Sequence, residues 1–401
     1  MKQECPLSAG LLRGAAVACL ALITAAPAWA TTDIVYFGSH GVVGAGAGGP
    51  PQEPPPGSPP NGIFLAHFDD VTGKLTAIGQ TVDLEHPTWI ADNPEKPIIY
   101  SVNQLGDASN QQGEVVAYKI NLPAGNLTEI GRVKSGGRGT TYVSFDPVTQ
   151  TVFTANYASG QVTAIAVKPD GSLGEVTSAS QNYGHGPLAQ RQSSPHAHSA
   201  LIDPSHRFVL VPDLGADRVF VYRFNDADRT LSAGDPPFEQ FDPASGPRHL
   251  IFYPGGKFVY VNTELTAEID VLSWDANTGH LTLVQKLSTV LPSFKGYRSG
   301  AEIALSPDSR HLYASNRSDG TVEVYAVNSA TGKLTEIQRI PAEGTNPWSF
   351  AIDPTGHWLL VTDEGSNSVV VLKIDPHSGK LSATGETMTM RHPVSATIVP
   401  G

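Results

Sequence analysis

The sequence predicts an all-β chain folded as a seven-bladed β-propeller, and three observations carry that reading. A proline that ends a short alternating apolar run recurs at Pro94, Pro147, Pro204, Pro254, Pro307, Pro354 and Pro400, at spacings of 53, 57, 50, 53, 47 and 46 residues. Eight or nine residues after six of these prolines stands Asn103, Asn156, Asp213, Asn262, Asn316 or Asp363. Next come a second kind of alternating run ("VTAIAV", "RVFVYRF", "TVEVYAV") and a glycine turn ("KPDGSL", "ANTGHL", "PHSGKL"). No apolar pattern of helical period persists beyond a turn or two, so each unit reads as three or four short strands. Such a unit exposes apolar faces when alone. A ring of units buries both faces and leaves only short edges.

Taken in order, the chain opens with residues that are not expected to belong to the fold. Lys2 and Arg13 precede an apolar stretch from Gly14 to Ala26, followed by Ala28-Trp29-Ala30. A charged start, a short apolar run and an A-x-A ending describe an export signal over 1–30, cleaved after Ala30. The run is shorter than the ~20 residues a spanning helix needs. Lipid attachment at Cys19 is the lesser alternative, since the apolar run continues past that residue. The remainder, 31–401, is expected to form a single propeller domain in the periplasm or outside the cell. Both cysteines, Cys5 and Cys19, fall in the signal, so the mature chain carries no thiol and depends on its core.

The segment 44–60, "GAGAGGPPQEPPPGSPP", is too rich in glycine and proline for helix or ladder. It separates two strand-like runs and reads as a loop inserted into a hairpin. The seven marked repeats follow. The last mark lies in "HPVSATIVP", where one strand remains, whereas 33–84 supplies strands but no mark. The C-terminal strand is therefore expected to become the inner strand of the blade that the N-terminus begins, closing the ring.

The formal net charge is −12 with only 16% charged residues, and the acidic residues are scattered. This balance argues against nucleic acid and anionic membrane as partners. A monomer acting on a small molecule is expected.

Inner strands line a propeller's channel, so polar residues at matching places in successive repeats converge at its mouth. "GPRHLIFYP" puts Arg248 where "SPHAHSALIDP" puts His198, and Glu302 in "SGAEIALSP" lies close to that place. The following runs end in "YVNTEL" with Glu264 and "YASNRSDG" with Arg317. A guanidinium fork matches planar oxygens, and histidine moves protons near neutral pH. This set suits a substrate bearing a lactone or carboxylate. His196 and His198, two apart, share a strand face and are open to three readings: half a metal site, a base with a helper, or structural residues. No third ligand at a recognised spacing completes a metal site. There is no G-x-S-x-G elbow, and "GAGAGG" lacks the helix of a phosphate cradle. No metal and no cofactor are expected.

At these residues the sequence resembles the β-propeller lactonases, which include propeller-type 6-phosphogluconolactonases and 3-carboxy-cis,cis-muconate lactonizing enzymes. The matching stretches include "ANYASG", "RQSSPHAHSALIDP", "VPDLGADRVFVYRF", "GPRHLIFYPGGKFVYVNTEL", "AEIALSPDSRHLYASNR" and "AIDPTGHWLLVTDEGSNSVVVLKIDPHSGKL". The resemblance implies lactone hydrolysis or the related cyclisation. It implies catalytic roles for His198, Arg248, Glu264 and Arg317, with His196, Arg191 and Glu302 as neighbours that contact substrate. Either Glu264 or His198 is then the base. Three features depart from the pattern: the outward address, Trp348 where the family usually has arginine, and Thr263 before the glutamate. Trp348 argues against a phosphorylated substrate. A non-catalytic propeller that binds a ligand or protein, and a metal-dependent hydrolase, are the competing readings.

Overall fold

A computed structural model describes residues 32–40, 61–106 and 109–401. The expected export signal over 1–30 and the 44–60 insertion lie outside the described residues.

The repeat containing Pro254 shows how sequence becomes blade. Its strands are Pro247–Phe252, Phe258–Thr263, Glu268–Asp275 and His280–Ser288, each antiparallel to the next. The second strand, "FVYVNT", is buried along its whole length, because sheets pack against both of its faces. The fourth, "HLTLVQKLS", ends in partly open and exposed positions, as an outer edge should. Pro254 sits in the turn between the first two strands, where the missing N–H costs no ladder bond. The glycine turn between the last two needs Gly279 at φ +82°, and a side chain there would collide with the Phe208 ring.

Among the described residues this pattern gives seven four-stranded sheets. The first strand of each marked repeat lies at one edge of its sheet, and these strands neighbour one another around the ring. Apolar side chains fill the space between successive sheets. Phe208, Leu210, Val219 and Val221 of the Pro204 blade, for example, meet Leu250, Val259, Leu272 and Trp274 of the Pro254 blade. Burying such surface stabilises by about 25 cal/mol per Å² and replaces what disulfides would supply.

The ring closes as expected. Strand Pro393–Val399 pairs antiparallel with Thr32–Ser39, aligning Ile34 with Val399 and Phe37 with Ala396. The closing sheet then continues through Gly62–Asp69 to Lys74–Asp83.

Two local features aim side chains at the channel mouth. Inner strands carry a register shift near their start, between Pro247 and Leu250, Gly300 and Ile303, Pro347 and Ser349, and Thr140 and Tyr142. A bulge breaks strict two-residue alternation, so consecutive side chains can serve one site. The tenth residue after each of the first six proline marks then opens the turn leaving the second strand at the same end: Gln104, Tyr157, Leu214, Glu264, Arg317 and Glu364.

Candidate functional site at the channel mouth

Glu264 lies at the centre of a cage of cations. Its Oε1 lies 2.5 Å from Arg191 Nη2, and its Oε2 lies 2.8 Å from Arg317 Nη2 and 3.3 Å from Arg248 Nε. His198 Nε2 stands 3.8 Å from Oε2, beyond hydrogen-bond reach. Four sources supply these groups. Arg191 comes from the connection into the Pro204 blade, His198 from the start of its inner strand, and Arg248 from the bulge of the next inner strand. Glu264 and Arg317 open the turns after second strands. All but Arg191 are buried. The structure brings together His198, Arg248, Glu264 and Arg317, expected at matching repeat positions, with Arg191, which the resemblance set beside them.

The electrostatics follow from burial and charge count. Burial alone would raise the Glu264 carboxyl, but Arg317, Arg191 and Arg248 overcome it and hold the group well below the usual carboxylate range. Burial lowers Arg248 to about 10, and neighbouring Arg317 adds to the effect. Burial, then the charge of Arg248, pushes His198 well below an ordinary histidine, so its ring is neutral at neutral pH. Three guanidiniums face one carboxylate here. Arg317 Nε and His198 Nδ1 are buried without a hydrogen-bond partner among the described residues, and Arg248 Nε has only the long contact with Glu264. A buried donor left unpaired costs about 1–3 kcal/mol. The cluster thus carries surplus positive charge, with more guanidinium donors than Glu264 alone can satisfy.

Glu302 is not in direct contact with Glu264 but pairs with His249. It lies five residues before its proline, as His249 does, whereas Arg248 and His198 lie six before theirs. Glu302 Oε1 lies 3.0 Å from His249 Nδ1, and its Oε2 accepts from Ser349 Oγ at 3.2 Å. Burial raises Glu302 to about 7 and lowers His249 well below its ordinary value. The pair adjoins Arg248, and burial favours the neutral form of both partners. Arg248 itself donates from Nη1 to the Ala301 carbonyl, which also accepts from Asn262 Nδ2 at 2.8 Å.

His196 sits at the entrance. Its backbone N–H donates to Asp213 Oδ1 at 2.8 Å, its ring stacks on Tyr157 at 4.6 Å, and its Nδ1 lies 2.9 Å from the Tyr157 carbonyl. Tyr157 also packs edge-on to His198 and receives Arg191 Nη2 at 3.5 Å. Among the described residues no group of three or more His, Cys, Asp or Glu side chains is arranged to hold a metal ion.

Sequence reasoning missed His249, Tyr157, Tyr142 and Trp89. Trp89 and Tyr142 stack at 4.9 Å and both pack against His249. The signal for Tyr157 was available, because it is the tenth residue after Pro147 as Glu264 is after Pro254. His249 was hidden by the bulge, since strict alternation sends the residue after Arg248 to the opposite face. Trp348, where a cation was expected by resemblance, lies under the Arg317 guanidinium at 4.5 Å from the ring centre.

Comparison with known proteins gives a consistent picture. The family described as "Lactonase, 7-bladed beta-propeller" matches residues 55–398. A 6-phosphogluconolactonase of Bacillus subtilis strain 168 is 33% identical over 333 residues, covering 83% of this chain and 93% of the relative. A probable 6-phosphogluconolactonase of Arthroderma benhamiae is 31% identical, covering 84% and 86%. Among solved structures, the periplasmic gluconolactonase of Pseudomonas aeruginosa superposes with a TM-score of 0.83 at 30% identity, over 92% of this chain and 99% of that one.

Proposed function

The chain belongs to the seven-bladed β-propeller lactonases, a family of hydrolytic enzymes, and on that premise we propose that it hydrolyses a sugar-type lactone at the Glu264 cluster. The observation that carries this reading is the surplus of guanidinium donors around one carboxylate. A lactone carbonyl becomes an oxyanion when water adds to it, and fixed donors in a buried site stabilise that charge. Arg317 has an unpaired Nε–H for it, and Arg248 Nε, held only at 3.3 Å by Glu264, lies beside it.

The base is His198. Glu264 is held ionised by three cations, which makes it a poor proton acceptor. His198 is neutral, and its Nδ1 has no hydrogen-bond partner among the described residues, so a lone pair is open to a water proton; burial and Arg248 weaken its basicity, and stabilisation of the oxyanion by the arginines must offset that cost. In the balanced step, water oxygen bonds to the carbonyl carbon while its proton passes to His198. The ring C–O bond then breaks, and the proton goes to the departing ring oxygen. The product is an open hydroxy acid, which loses its carboxyl proton to solvent, and the resulting carboxylate meets the arginines. Glu264 orients these arginines and offsets part of their charge.

The site of action is the periplasm or cell exterior. The charged, apolar and A-x-A start supports this, as does the structural likeness to a periplasmic gluconolactonase. No helix among the described residues is long and apolar enough to cross a membrane.

Steady-state kinetics on glucono-δ-lactone test the roles. His198→Gln is expected to lower kcat by about 10²–10⁴ with little change in KM, the usual worth of a positioned base. Arg317→Met is expected to lower kcat/KM by about 10²–10³, the usual worth of an oxyanion donor. Folded variants that turn over like the wild type would remove both assignments.

A further inference from the structure

A second glutamate occupies the equivalent place two blades on. Glu364 is the tenth residue after Pro354, as Glu264 is after Pro254, so the repeat sets both carboxylates at the same end of the ring. Their surroundings differ in kind. His392 Nδ1 lies 2.8 Å from Glu364 Oε1, and Asn346 Nδ2 donates to Oε2 at 2.6 Å. Burial would raise this carboxyl, but the His392 and Asn346 hydrogen bonds overcome it, with a smaller effect from His40. Glu364 is therefore an anion at neutral pH, held by imidazole and amide where Glu264 is held by guanidinium.

Trp348 joins the two constellations. Its ring carries the Arg317 guanidinium at 4.5 Å and lies 6.2 Å from the His40 ring, which in turn lies 5.5 Å from His86. We propose that Glu364, His392, Asn346, His40 and Trp348 form a second subsite that holds the uncharged, hydroxyl-bearing tail of the substrate and rejects a tail ending in phosphate. For the head of the ligand, this rests on the lactonase reading above.

The chemistry of the subsite selects its ligand. A carboxylate accepts hydrogen bonds from hydroxyls, imidazoles both accept and donate, and an indole face packs on the C–H face of a sugar chain. A phosphate dianion beside an ionised carboxylate is repelled, and the burial of Glu364 weakens the screening of its charge by water. The mouth is thus polarised: surplus positive charge receives the reacting carbonyl, and a fixed negative charge faces the tail.

The test compares glucono-δ-lactone with its 6-phosphate by kcat/KM, and gluconate with 6-phosphogluconate by calorimetric binding. Wild type and Glu364→Gln are measured, with Glu364→Ala as the second variant should the amide misfold. The wild type is expected to favour the unphosphorylated member of each pair by about tenfold or more, and loss of the Glu364 charge is expected to shrink that ratio about tenfold. A wild type that favours the phosphorylated member, or a ratio unmoved in a folded variant, overturns the subsite while leaving lactone hydrolysis standing. Absence of turnover on both lactones, with gluconate still bound in preference, removes the lactonase reading and supports the subsite. Absence of both turnover and binding overturns the subsite.

Discussion

Glu264 carries more weight in the structure than a proton-transfer role would require. It is the counter-charge for Arg191, Arg248 and Arg317 together, at distances of 2.5 to 3.3 Å. Removing one partner of a buried ion pair typically costs about 3–5 kcal/mol, because the remaining charge is left uncompensated. Glu264→Gln is therefore expected to lower the thermal midpoint clearly, and lost activity in that variant mixes chemistry with stability. His198→Gln, neutral for neutral, is expected to melt much closer to the wild type. Calorimetric scans of the two variants check this. Equal midpoints would mean that the cage is not organised around the glutamate's charge.

At the scale of the blade, the recurring asparagine or aspartate ties the end of the second strand to its neighbours. Asn316 Nδ2 donates to Glu323 at 2.9 Å and to the Thr289 carbonyl at 2.7 Å, while Asn156 Nδ2 donates to Thr163 Oγ1 and its Oδ1 accepts from the Ser135 and Thr140 hydroxyls. The Pro354 blade breaks the pattern. Val370 stands where Thr163 and Glu323 stand in theirs, and neither oxygen of buried Asp363 has a hydrogen-bond partner among the described residues. Burial, with nearby Glu343, raises that carboxyl to about 8. Asp363→Asn supplies the amide that four other repeats use and is expected to stabilise by about 1 kcal/mol at pH 8, where the aspartate begins to carry its charge unpaired. An unchanged or lower urea midpoint would contradict this. Blade count, strand order and closure were legible in the sequence because proline and glycine turns punctuate it at a steady period. The mouth was legible only in part. Arg248, His198, Glu264 and Arg317 stand out as charges at repeat positions, whereas His249 depends on a bulge that no residue type announces. Glu364 was visible by its position but was not recognised without its partners.

For the whole molecule, three buried carboxyls set the response to pH. Burial raises Glu302 to about 7, Glu323 to about 8 and Asp363 to about 8. In the unfolded chain such groups ionise near pH 4, so above that pH the folded protein holds protons that the unfolded chain has lost. Rising pH then favours unfolding by ~1.4 kcal/mol per unit for each group, until pH passes its folded value. His198 and His249 act in the opposite sense, but only below about pH 6.5, where the unfolded histidine takes up a proton. Stability is therefore expected to fall between pH 6.5 and 8, read as a lower guanidinium midpoint at pH 8 than at pH 6.5. A flat or rising midpoint would show that these carboxyls are ionised in the fold.

The central claim is that the guanidinium cage with neutral His198 opens a lactone ring. The most direct measurement is the initial rate of acid release from glucono-δ-lactone by purified residues 31–401, with chelator present, against the spontaneous rate and against His198→Gln. Turnover is expected well above background in the wild type, indifferent to chelator, and nearly lost in the variant. Turnover that needs a metal, or that survives in a folded His198→Gln protein, would contradict it.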